Sequence, residues 1–146
     1  MRQILALIAV LAIAGPLSAA EPVDKVRAEV LSVSDGDTVT LNIHLPWNLT
    51  IRGEAIRALG YDAWETSRRR QSRMVTDAEL EKGKAAKAAL VTLLATGELF
   101  IVPEGEGERD PYGRILARLH VRQRDGKWVD VADFMKRRGH DRGDAP

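Results

Sequence analysis

Three short segments of the sequence concentrate carboxylates and guanidiniums at turns. Carboxylates supply hard oxygen ligands and proton acceptors, and guanidiniums supply charged forks for oxyanions. Asp35-Gly36-Asp37-Thr38 sets two acids in a tight turn, where Gly36 relieves steric restriction and an aspartate can bond nearby amides. Turn formation by itself accounts for such a tetrad. Arg57, Asp62 and Glu65 lie around Gly60 in RALGYDAWE, where a strand ending in a loop brings polar groups toward one site. Asp110-Pro111-Tyr112-Gly113-Arg114 is another turn, carrying a guanidinium to the start of a strand. Alone, Arg114 reads first as a solvated surface residue.

The elements that must hold these turns follow from pattern. Residues 26–34 alternate imperfectly, with valines suited to a strand, and residues 38–44 read as the returning strand. Residues 45–50, containing Pro46 and Asn48, form a connection. Residues 50–59 then offer Ile51, Ala55, Ile56 and Leu59 for burial, which makes three adjacent strands. Thr76 with Glu79 has the form of a capping box, and Leu80, Ala86, Leu90, Leu93 and Leu94 recur near helical spacing. An architectural helix is expected over residues 77–96, with Gly97 as its stop. Residues 99–102 and 115–121 read as short strands separated by a polar loop at 103–111, and Asp125-Gly126 as a turn. A closing helix is expected over residues 129–138, stopped by Gly139, with a frayed end at 140–146. No repeat or heptad series is present, so the pattern points to a compact barrel with helical supports.

The chain has 146 residues, room for one domain, and its 45% hydrophobic and 29% charged composition is that of a soluble globular protein. Without cysteine it has no disulfide framework, thiolate cluster or cysteine nucleophile. Arg2, the apolar run at residues 4–14, the Gly15-Pro16 break and the small residues Ser18 and Ala20 together read as a secretory leader, with cleavage expected after Ala20. The run is too short to span a membrane, so no stable anchor is expected after cleavage. Removing residues 1–20 takes away one base and no acid, which brings the 22 basic side chains level with the 21 acidic ones. Polyanion recognition must then rest on local arginines rather than a basic coat.

Taken in order, DGDT at 35–38, RALGYDAWE at 57–65 and DPYGR at 110–114 resemble the thermonuclease, or staphylococcal-nuclease-like, family, with the apolar helix between the second and third motifs. WVDVADFMKRRG falls at the family's terminal helix, so the resemblance spans nearly all of residues 21–146. It implies an α+β fold: a five-stranded oligonucleotide/oligosaccharide-binding (OB) barrel with supporting helices. It also implies calcium-dependent hydrolysis of DNA and RNA, leaving 3′-phosphate and 5′-hydroxyl ends, by an exported, monomeric enzyme, periplasmic or secreted. Asp37 and Asp62 match the family's calcium-binding carboxylates, Glu65 the acid that positions or activates water, and Arg57 and Arg114 the phosphate-binding arginines. Tyr112 matches an aromatic beside the nucleotide, and Asp35 belongs to the turn that positions the first ligand. Single-stranded or locally opened DNA and RNA are the implied partners.

The chemistry is coherent, because hard carboxylate oxygens suit calcium and arginine forks hold phosphate oxygens. Glu65 can either accept a proton from water or orient it.

Two departures stand out. Trp64 replaces the proline common before the glutamate, which removes a fixed φ angle unless Trp64 compensates by packing. The stretch between Thr38 and Arg57 is also long, placing LPWNLT in an extended hairpin connection whose Trp47 is expected to pack on the barrel rather than stack on a base. Arg68, Arg69, Arg70 and Arg73 read first as a solvated loop, and second as phosphate contacts outside the metal site. His44, His120 and His140 have no metal-ligand spacing. The competing reading of the whole chain is a noncatalytic nucleic-acid-binding or interaction OB domain in which Trp64 misplaces Glu65.

Overall fold

A computed structural model describes residues 18–67, 69–70 and 73–143. Residues 1–17, on which the expected leader falls, lie outside the described residues. Strands β1 (Val26–Asp35), β2 (Thr38–Leu45) and β3 (Leu49–Ala58) form the expected antiparallel meander. Along β2 the buried Val39, Leu41 and Ile43 alternate with half-buried Thr40, Asn42 and His44, the period-two signature of a strand with one face in a core.

The β2–β3 connection is tighter than expected. Only Pro46–Asn48 lie outside the strands, because Trp47 and Asn48 both adopt φ of 59° and reverse the chain at once. That conformation throws Trp47 outward to 89% exposure, so the expectation that it packs on the barrel is wrong.

After β3 the backbone makes a small hairpin of β4 (Arg69–Arg70) and β5 (Arg73–Met74), where a loop was expected. Arg68 and the side chains of Arg69, Arg70 and Arg73 lie outside what the structure describes. Helix α1 (Asp77–Leu94) follows, opened by the capping box: the Glu79 amide donates to Thr76 Oγ1 at 3.2 Å and the Thr76 amide to Glu79 Oε2 at 2.9 Å. Its end comes earlier than the Gly97 stop expected from sequence. The Thr96 hydroxyl instead donates to the Leu93 carbonyl at 2.7 Å, and Gly97 opens β6 (Gly97–Pro103). Glycine is needed there because a Cβ would collide with the Arg122 carbonyl on the neighbouring strand.

Strand β7 (Ile115–Gln123) pairs antiparallel with β6, which pairs with β1. The other side of β7 runs parallel to β3 through Ile56–Ile115, Arg57–Leu116 and Ala58–Ala117. This last ladder closes β1, β2, β3, β7 and β6 into a five-stranded mixed barrel of α+β class. Val39, Leu41, Ile56, Ile101 and Val121 fill its interior, joined by Ala86 and Leu90 of α1. Each fully buried branched aliphatic contributes about 1.5–3 kcal/mol.

The expected terminal helix divides. β8 (Trp128–Asp130) extends the β7 ladder, with the Trp128 ring edge-on to Phe100 at 5.1 Å, and α2 (Val131–Arg137) begins where the Asp130 side chain caps the Asp133 amide at 3.0 Å. Beyond α2 the chain does not fray at once, and residues 140–143 turn back onto the Asp62 loop.

Candidate functional site

The site begins with strand register. Thr38 faces Arg57 across β2 and β3, so the acid preceding Thr38 and the guanidinium at the end of β3 are neighbours by construction. The Ala58 amide donates to the Asp37 carbonyl at 2.8 Å and locks this pairing. Beneath the turn, the Tyr61 hydroxyl donates to the Gly36 carbonyl at 2.6 Å. Burial, reinforced by the nearby Asp37 charge, pushes the Tyr61 phenol far above its ordinary range, so it remains a donor.

Helix α1 presses on the same turns from outside. A Cβ on Gly36 would lie 2.7 Å from the Ala86 Cβ and 2.8 Å from the Ala63 Cβ. A Cβ on Gly83 would run into the Glu65 carbonyl. Small residues on the helix thus set how deeply the Asp62–Glu65 loop sits.

Asp37 is 4% exposed and densely bonded. Its Oδ2 accepts from the Ala63 amide at 2.8 Å and from Arg57, and its Oδ1 accepts from the Thr38 hydroxyl at 3.0 Å. Arg57 spans Asp37 and Asp62. Burial works against its charge, but Asp37 first and Asp62 second outweigh that and raise its pKa. Arg114 is held by the DPYGR turn: its Nε donates to Asp110 Oδ2 at 2.7 Å and its Nη1 to Thr38 Oγ1 at 2.8 Å. Desolvation of Asp110 is outweighed by the bonds from the Arg114 amide and side chain, which hold its carboxyl below the ordinary range. Tyr112 is 70% exposed, and the Arg114 guanidinium lies 5.5 Å from its ring centroid. Thr66 donates to Asp35, tying the first turn to the loop after Glu65.

A cleft of about 390 Å³ is lined by Asp35, Asp37, Arg57, Asp62, Glu65, Tyr112 and Arg114, with Ala63 and Trp64. Every residue nominated from the sequence therefore meets at one place. A larger cleft of about 570 Å³, lined by Ile43, Leu45, Ile51 and Ile101 among others, holds none of them. Trp64 packs under two cations: Lys82 Nζ lies 4.6 Å from its ring centroid and the Arg142 guanidinium 5.9 Å.

The chemistry of the lining suits a hard cation. Four carboxylates stand against two guanidiniums, with no sulfur or imidazole among them. Among the described residues no three acids or histidines are gathered as a ready coordination group, and Arg57 sits between Asp37 and Asp62. A carboxylate oxygen takes two donors, so the Oδ1 atoms of Asp37 and Asp62, each bonded to one side-chain donor, keep acceptor capacity. None of the three histidines lines the cleft. His120 is buried elsewhere, 3.7 Å from Asp130.

Two residues were missed. The Asp62 amide donates to Asp141 Oδ1 at 3.0 Å, the Arg142 amide to the Asp62 carbonyl at 2.8 Å, and Arg142 Nε to Asp62 Oδ2 at 2.7 Å. In the sequence these residues belong to a short polar stretch after a helix stop, with no periodicity to show that it docks. No protein-family model matches the chain, and a search of the curated proteins finds no match.

Proposed function

We propose that the protein is a calcium-dependent nuclease that hydrolyses phosphodiester bonds of DNA and RNA on an OB barrel. The observation that carries this reading is the meeting of Asp37, Asp62, Glu65, Arg57 and Arg114 from three separate turns in one cleft. Asp37 and Asp62 are the residues that would hold the cation, whose contribution is to polarise a phosphate oxygen. Arg57 and Arg114 grip the phosphate and offset the negative charge that develops during displacement. For this Arg57 trades part of its bonding to the two aspartates for the phosphate. Glu65 accepts a proton from the attacking water or orients it. Water attacks phosphorus, the bond to the 5′ oxygen breaks, that oxygen takes a proton from solvent to leave as the 5′-hydroxyl, and no protein-bound intermediate forms. Tyr112, exposed beside Arg114, contacts the nucleotide. The reading extends to an exported monomer, periplasmic or secreted, acting on single-stranded or locally opened substrate.

The test is the chemistry of the ends released from a labelled single-stranded DNA in calcium. Expected are 3′-phosphate and 5′-hydroxyl ends, while 5′-phosphate ends would contradict the assigned bond cleavage. A binding-only domain is the second reading, favoured by the way Arg57 engages both aspartates. It requires that the protein retain the DNA in calcium and leave it intact.

A further inference from the structure

The C-terminal segment after α2 makes contacts that a simple tail does not. Two hydrogen bonds to the Asp62 backbone and one charged fork to its carboxylate join the segment to that residue. The Asp62 amide donates to Asp141 Oδ1 at 3.0 Å, and the Asp62 carbonyl accepts from the Arg142 amide at 2.8 Å. Arg142 then delivers both Nε, at 2.7 Å, and Nη2 to the same oxygen, Asp62 Oδ2. Both side chains of this pair are nearly buried, at 12% exposure for Asp62 and 11% for Arg142. Arg142 does not line the cleft. It reaches Asp62 from behind and fills Oδ2, which leaves Oδ1 to meet Arg57. The same guanidinium lies 5.9 Å from the Trp64 ring, so one side chain steadies both Asp62 and the residue two positions after it.

We infer that Asp141 and Arg142 are positioning residues of the site, holding Asp62 so that Oδ1 faces the cleft. This rests on the nuclease reading for its functional meaning, but the hold itself is a property of the fold. Without the tail, Asp62 keeps Arg57 as a side-chain partner on one oxygen and is free to turn the other into the cleft. Groups that orient a ligand from behind in this way typically change cation affinity or activity about 10- to 100-fold when altered.

Two opposing effects follow from removing Arg142. Loss of its positive charge favours a bound cation, and loss of its fork disorders the ligand. Arg142→Lys separates them, because it keeps the charge and removes the two-pronged grip. The experiment compares the full chain with Arg142→Lys and Arg142→Ala, each confirmed as folded by circular dichroism. The readouts are calcium binding by calorimetry, kcat and KM on single-stranded DNA, and hydrogen exchange of the Asp62 amide.

The Arg142→Lys protein is expected to bind calcium about tenfold more weakly or worse, and to lose kcat by a similar factor with little change in KM. The Asp62 amide is expected to exchange faster in Arg142→Ala than in the parent. A parent that binds and cleaves, together with an Arg142→Lys protein of unchanged affinity and kcat, would overturn the inference and leave the nuclease reading standing. A parent that neither binds calcium nor cleaves would instead sink the nuclease reading. Hydrogen exchange then decides the hold alone: faster exchange in Arg142→Ala upholds it, and equal exchange overturns it.

Discussion

Asp37 takes donors from a backbone amide, a hydroxyl and a guanidinium while almost wholly buried, so its charge is both costly and paired. Removing Asp37 leaves the Ala63 amide without its carboxylate and leaves the mostly buried Arg57 to Asp62 alone, which Arg142 also engages. Asp37→Ala is therefore expected to lower stability by about 3 kcal/mol, measured by urea denaturation, and a change under 1 kcal/mol would contradict that bonding scheme. His120 gives a pH signature unrelated to the cleft. Burial first, with Arg118 adding to it, lowers its pKa against the opposing pull of Asp130. The folded state thus holds the neutral ring and the unfolded state binds the proton more readily, so stability is full above the ordinary histidine range near 6.5. It is lost as pH falls through that range toward the lowered value. Melting temperature should rise with pH across this window in the parent and rise less in His120→Gln. At this scale the five residues around the cleft could be named from the order and spacing of three motifs that together resemble one family, whereas each turn alone reads as ordinary. Asp141 and Arg142 could not, since a charged terminal stretch looks the same whether docked or free.

Helix α1 connects packing to the site, because its Gly83 touches the backbone of Glu65 and its Ala86 abuts the Asp35–Asp37 turn. Gly83→Ala adds one methyl where there is no space and is expected to cost about 1–3 kcal/mol by overpacking. The displaced segment carries Glu65, so kcat should fall more than KM changes; parent-like kcat would show that the helix does not set the loop. The cap at the other end of this logic is purely structural. Thr76→Ala should cost about 1 kcal/mol in urea denaturation and leave cleavage per folded molecule unchanged. The start of α1 was readable because a capping box is a local motif. Its end was not, since the Gly97 that looked like a stop is demanded by a neighbouring strand distant in sequence. For the same reason β8 was hidden inside an apparent helix: only pairing with β7 makes it extended. The tight turn at Pro46–Asn48 escaped notice because Trp47 adopts a left-handed backbone conformation that its residue type rarely signals.

Across the molecule, 22 basic and 21 acidic side chains leave little net field, so attraction to a polyanion depends on where the arginines stand. If Arg57 and Arg114 are the only phosphate contacts, retention of single-stranded DNA by the Glu65→Gln protein in calcium should fall with salt at a log–log slope of roughly −1.4. A much steeper slope would bring the arginines of residues 68–73 into the interface. The barrel's closure is what brings Arg57 and Arg114 together, since the β3–β7 ladder carries the DPYGR turn to the start of β2 and the end of β3. A barrel was expected from the element pattern, but the strands that close it were not, because a parallel pairing between strands so far apart leaves no mark on either strand. The central claim is that the cleft hydrolyses phosphodiesters with a cation and Glu65. It is tested most directly by incubating labelled single-stranded DNA with the purified protein in calcium, in chelator, and as Glu65→Gln under the same conditions. The expected result is cleavage in calcium, none in chelator, and a rate lowered a hundredfold or more by the substitution. Folded protein that leaves the DNA intact in all three, or a Glu65→Gln protein that cleaves at the parent rate, would contradict it.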